Sequence, residues 1–116
     1  MACMSTGVPV FRNGWLSTRT GFASRSTSGA IQSTGNKVVT SITVLNATSA
    51  ATATFYLDGS YDGLAWKQIG SVTQSTFGYN TLSQASLDYA FLRVRVELTG
   101  TDQDLLFDVS LAFTCQ

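Results

Sequence analysis

The sequence predicts an all-β protein: an antiparallel β-sandwich, jelly-roll or immunoglobulin-like, of about seven or eight strands. Three observations predict it. From residue 30 onward, short runs rich in Val, Ile, Thr and aromatics recur at regular spacing, each bounded by Gly, Asn, Asp or Ser. Within the later runs apolar and polar residues alternate, the period that sends side chains to opposite faces of a strand. No stretch carries the repeat of an amphipathic helix.

Composition agrees. The 116 residues are the length of one domain. Only 12% are charged, against about 25% in a typical soluble domain. Ser and Thr fill the gap, at 30 residues together. A disordered chain would be charge-rich and apolar-poor; this one is 44% hydrophobic and aromatic, which suits strands.

Taken in order, residues 1–28 are weakly patterned. They hold the only proline, Pro9, and the run STRTGFASRSTSG. They read as an extended N-terminal arm with at most one or two short strands, and residues 29–116 read as the sandwich domain. Strands are then expected over Ala30–Thr34, Lys37–Asn46, Thr52–Asp58, Trp66–Thr73, Phe77–Leu82, Ala90–Leu98 and Leu105–Thr114. The last is the clearest: Leu105, Phe107, Val109, Leu111 and Phe113 share one face. The strand before it sends Ala90, Leu92, Val94, Val96 and Leu98 one way, and Tyr89, Phe91, Arg93, Arg95 and Glu97 the other. The TGTDQD loop between them suggests an antiparallel pair.

Net charge is zero, so no global field favours nucleic acid. The distribution is lopsided. Arg12, Arg19, Arg25 and Lys37 precede the first acid, and after Arg95 only Glu97, Asp102, Asp104 and Asp108 follow. Either this is chance, or a basic arm lies against an acidic surface of a neighbouring subunit.

The chain has no His, which removes the commonest general base and metal ligand. No apolar run approaches the roughly 18 residues of a membrane helix, and the N-terminus lacks the pattern of a secretion signal. Cys3 and Cys115 read as free thiols or as a disulfide tying the termini. No serine has a histidine to activate it, and no glycine run has the form of a phosphate loop. The expectation is a protein with no catalysis and no cofactor.

The stretch YLDGSYDGLAWK, residues 56–67, bears most on function. Its two Asp-Gly pairs lack the closing Glu of a calcium loop. Two carboxylates on one tight turn are poorly placed to face each other as a glycosidase pair. They read as the corner of a hairpin, since Asp-Gly supplies the positive φ that tight turns demand. Trp66 is expected to cap the core there. Asp58, Tyr61, Asp62 and Trp66 form a candidate ligand corner, with Tyr79 as a further aromatic. Trp15, Tyr61, Trp66, Phe77 and Tyr79 offer a stacking platform for sugar or for single-stranded nucleic acid, although the latter needs a basic groove and only Lys67 is near, or else they are core and interface aromatics. The row Tyr89, Phe91, Arg93 and Arg95 is either exposed, as a subunit contact would be, or covered by a second sheet. Arg12, Trp15, Arg19, Phe22 and Arg25 of the arm join it as candidate interface residues.

The pattern DGSYDGLAWKQI, followed about 25 residues on by FLRVRVEL, resembles short all-β accessory proteins of tailed bacteriophage virions, such as capsid decoration and head or tail proteins. It is also similar, over roughly residues 38–98, to discoidin-type (coagulation factor 5/8 C) sandwiches, whose basic residue in the penultimate strand matches Arg93 or Arg95. The phage resemblance implies a structural, homo-oligomeric virion protein that binds other virion proteins and assembles in the host cytoplasm. The discoidin resemblance implies a glycan-binding module. Nucleic acid and membrane are not expected as partners.

Overall fold

The computed structural model describes residues 6–48, 52–74, 78–84 and 89–114. These form two antiparallel sheets packed face to face, with no helix among the described residues. The first sheet runs β1 (Thr6–Ser17), β9 (Asp104–Thr114), β4 (Lys37–Ala47), β7 (Gly78–Gln84). The second runs β2 (Arg25–Thr27), β8 (Phe91–Thr99), β5 (Thr52–Ser60), β6 (Lys67–Gln74). The two-residue β3 (Ile31–Gln32) continues the edge that β2 starts, pairing further along β8.

The alternation written in the sequence builds the core. Val38, Ile42 and Val44 of β4 and Phe107, Val109, Leu111 and Phe113 of β9 face Phe55 and Leu57 of β5 and Leu92, Val94, Val96 and Leu98 of β8. All are buried, each contributing about 1.5–3 kcal/mol of transfer free energy. Phe107 sits at the centre, edge-on to Phe55 at 5.6 Å and to Phe11 at 5.3 Å. It thereby ties β1 to both sheets. Gly14 makes this approach possible, because a Cβ there would lie 2.7 Å from the Phe107 ring.

Three expectations are corrected. Residues 6–17 are not an arm but a full strand of the first sheet, in register with β9 from Thr6↔Phe113 to Ser17↔Asp104. Leu16 is in the core, and β2 gives the second sheet its edge, so residue 28 divides nothing. The strand hides in the sequence because register shifts between Pro9 and Phe11 and between Phe11 and Gly14 break the period of two. Second, β8 and β9 do not pair. They lie in opposite sheets and face each other across the core, as two strands with one apolar face each can equally do. Third, the basic N-terminal region lies against this chain's own acidic C-terminal strands. Arg19 Nε meets Asp104 Oδ2 at 3.1 Å, the Asn13 amide donates to Asp108 Oδ1 at 2.6 Å, and Arg25 stands opposite Glu97.

The sandwich has two distinct ends. Ala47, Thr52, Thr99 and Asp104 mark one; Lys37, Ser60, Phe91 and Thr114 mark the other. Cys3 and Cys115, read as free thiols or as a disulfide, lie outside the described residues.

Candidate functional site

The two Asp-Gly pairs do different things. Asp58 and Gly59 belong to β5, where a register shift between Leu57 and Asp58 adjusts the pairing with β6. Only the second pair turns the chain: Gly63 has φ +79° and sits in the connection between β5 and β6. Gly59 serves packing instead. A Cβ there would lie 2.6 Å from the Tyr89 ring, which rests on it.

Asp58 stands opposite Arg93 and Tyr56 opposite Arg95 across β5 and β8. The Asp58 side chain is only 2% exposed, although it lies on the outer face of the sheet. Both guanidiniums cover it. Arg93 Nε donates to Oδ2 at 2.9 Å, Arg95 Nε donates to Oδ2 at 2.6 Å, and Arg95 Nη2 donates to Oδ1 at 3.1 Å. A carboxylate so shielded is sustained by such charge-assisted bonds. In return, Asp58 raises the Arg95 pKa above its ordinary value. Each arginine also stacks on an aromatic ring, Arg93 on Trp66 and Arg95 on Tyr56, both at 4.5 Å. Trp66 therefore lies on the outer face against Arg93, not as a cap on the core.

Beyond Ser60 the corner is built from its own backbone. Asp62 Oδ1 accepts from the amides of Leu64 at 2.8 Å and Ala65 at 3.0 Å and from the Ser60 hydroxyl at 3.1 Å. Ser60 Oγ in turn accepts from the Gly63 amide at 2.9 Å. The Ala65 and Leu64 amides, then the Ser60 hydroxyl, hold the Asp62 carboxyl below its ordinary value of 3.8. On this braced loop Tyr61 is 64% exposed and Leu64 is 85% exposed. Tyr61 stacks on Tyr89 at 4.9 Å, and Phe91 reaches under Gly63.

The row Tyr89, Phe91, Arg93, Arg95 is thus half-buried, covered by its own neighbours on β5 and the corner rather than by a second sheet. The other candidates lie elsewhere. Trp15 and Phe22, each about half exposed, contact edge to face at 4.9 Å at the opposite end of the sandwich. Arg19 is held by Asp104 there. Arg25 is exposed on the β2 edge. Arg12 and Tyr79 line a shallow groove of about 390 Å³ on the outer face of the first sheet, with Ser41 and Asp108. Tyr79 therefore does not join Tyr61 and Trp66, and Trp15 stands at the far end from both. No single aromatic platform forms among the described residues, and Phe77 lies outside them.

Sequence reasoning missed the Asp58 clamp and a second feature. Trp15, Asn46, Thr48, Asp104 and Leu106 line a cleft of about 290 Å³ where β1, β4 and β9 meet. The signal for the clamp was present: two arginines alternate on an outer strand face in a chain with few acids, and Asp58 ends another strand run.

No protein-family model matches the chain, and no curated protein matches it. Solved structures share its fold. The PBSX exported protein XepA superposes with a TM-score of 0.71 over 96% of this chain, at 13% identity. This chain spans 37% of the length of XepA. The carbohydrate-binding module TmCBM61, solved with β-1,4-galactotriose, gives a TM-score of 0.54 over 95% of this chain and 70% of its own, at 9% identity. A Bacillus endospore appendage protein, from disulfide-linked pili, gives 0.53 over 97% of this chain and 88% of its own, at 10% identity. The chain is an all-β sandwich, a fold it shares with the PBSX exported protein XepA and with the carbohydrate-binding module TmCBM61.

Proposed function

We propose that this protein is a non-enzymatic structural subunit of a bacteriophage virion, of the capsid decoration or neck and tail accessory type. It associates with itself and with neighbouring virion proteins in particles assembled in the host cytoplasm. The contact runs through the corner at residues 61–66. The observation that carries this reading is Leu64, a large apolar side chain 85% exposed on a loop braced by its own hydrogen bonds. A loop already fixed in place loses little conformational entropy when a partner covers it. Tyr61 beside it is of the residue type that anchors interfaces. The fold likeness to XepA over nearly the whole chain is in keeping with this role.

The test is solution mass by light scattering behind a sizing column, for the full chain and for Tyr61→Ser/Leu64→Ser. The expected result is a discrete oligomer at micromolar concentration that the double substitution dissociates with its melting temperature unchanged. A wild-type monomer throughout that range removes self-association. An oligomer indifferent to the substitution moves the contact away from the corner.

A further inference from the structure

The end of the sandwich opposite the corner carries a cleft where β1, β4 and β9 meet. We propose that the cleft between Trp15, Asn46, Thr48, Asp104 and Leu106 binds a neutral saccharide, one or two hexose rings in extent. The inference is independent of how the protein seats on its neighbours, because the cleft and the corner lie at opposite ends of the molecule.

The chemistry of the lining selects the ligand class. Trp15 is half exposed, and its place is fixed by pairing with Leu106 and by the edge contact with Phe22. A fixed indole offers a flat apolar surface to the C–H face of a pyranose ring, and aromatic rings combine such a surface with a polar edge. Around it stand hydrogen-bonding groups suited to hydroxyls. The Asn46 carboxamide is exposed and both donates and accepts. The Asp104 carboxylate is part of the wall: Oδ2 accepts from Arg19 at 3.1 Å and Oδ1 is buried. Thr48 is already engaged: its hydroxyl bonds Gln103 Oε1 and accepts from the Asp104 amide at 3.1 Å. It therefore serves as a fixed wall.

Charge and size narrow the class further. Arg19 balances Asp104, so the cleft offers no net cation to a phosphate or an acidic sugar. Its volume of about 290 Å³ lies at the small end of ligand pockets, which begin near 300 Å³. By contrast, the corner aromatics are already stacked on one face each. Arg93 lies over Trp66, and Tyr89 over Tyr61.

The chain has two tryptophans, hence two indole N–H resonances, and this makes the test specific. Isotope-labelled full-length protein, with assignments from Trp15→Phe and Trp66→Phe, is titrated with glucose, galactose, N-acetylglucosamine, rhamnose, lactose, cellobiose, chitobiose and β-1,4-galactotriose. The expected result is a saturable shift of the Trp15 indole with at least one of them, while the Trp66 indole stays still. Asn46→Ala then weakens binding about tenfold, the loss of one or two hydrogen bonds, with the melting temperature unchanged. Three results overturn the proposal: no probe moves the Trp15 indole saturably, Trp66 moves instead, or Asn46→Ala leaves the affinity unaltered.

Discussion

Replacing Asp58 by Asn tests the clamp on the second sheet most directly. The carboxylate holds three charge-assisted hydrogen bonds from two arginines and is 2% exposed. Removing one member of a buried ion pair costs about 3–5 kcal/mol, because the other charge is left without a partner. Here the partners left behind are the arginines, whose side chains are 27% and 32% exposed and regain water. The expected loss for Asp58→Asn is therefore lower, about 2–3 kcal/mol. The converse change, Arg93→Met with Arg95→Met, strands the buried carboxylate and takes the full penalty of about 4–5 kcal/mol. Of the single changes, Arg95→Met costs more than Arg93→Met, since Arg95 makes two of the three bonds to Asp58. Urea unfolding followed by tryptophan fluorescence measures all four. Near a domain of this size each kcal/mol lowers Tm by about 4 °C, an independent check. Asp58→Asn within about 0.5 kcal/mol of wild type refutes the reasoning. So does a double arginine variant more stable than Asp58→Asn.

Three further outcomes follow from single sites. Thr40 faces the core, 2% exposed, and its hydroxyl has no hydrogen-bond partner among the described residues. The isosteric Thr40→Val should stabilise by about 1 kcal/mol in urea unfolding, and a loss instead means the hydroxyl is satisfied. Gly59→Ala drives a Cβ into the Tyr89 ring at 2.6 Å. It should cost about 1–3 kcal/mol and alter the near-ultraviolet dichroism of the Tyr61–Tyr89 stack; an unchanged spectrum contradicts that packing. Asp62 has a lowered pKa when folded, so its contribution is present above 3.8 and is lost as pH falls through the folded value. In wild type the urea midpoint should fall across that acid window more steeply than in Asp62→Asn, and parallel curves would show the carboxylate has no such role.

Most of the seven strands from residue 30 onward were legible because apolar and polar residues alternate along them, almost without a break in β8 and β9. Lys37–Ala47, Thr52–Ser60 and Asp104–Thr114 end within a residue or two of where alternation places them. β1 was not, because its inward residues Val8, Val10, Phe11 and Leu16 keep no single parity across two register shifts that no local pattern announces. Alternation also fixes which face of a strand is apolar but not which sheet it joins, so β8 and β9 looked like neighbours. The corner illustrates the same limit. Asp58-Gly59 and Asp62-Gly63 are identical letters, yet one pair sits in a strand beneath a tyrosine and the other turns the chain. The Asp58 clamp depends on partners 35 and 37 residues away, a distance only the strand register closes.

The way the charges are spent bears on how the protein recognises anything else. Asp58, Arg93 and Arg95 are committed to one another, as are Arg19 and Asp104. Asp62 directs its carboxylate into its own loop. What the corner offers a partner is the neutral surface of Tyr61 and Leu64. Association through it should therefore be nearly independent of ionic strength, since screening acts only on charges and its Debye length is about 8 Å at physiological salt and about 3 Å at 1 M. A contact made instead through Arg12 or Arg25, the exposed bases of β1 and β2, would weaken steadily as salt rises. Light scattering of the full chain over a salt series separates the two. Oligomer mass that holds or increases with salt is the outcome expected of the corner, where apolar burial drives association. Mass that decays with salt assigns the contact to the basic strand edges and refutes the corner.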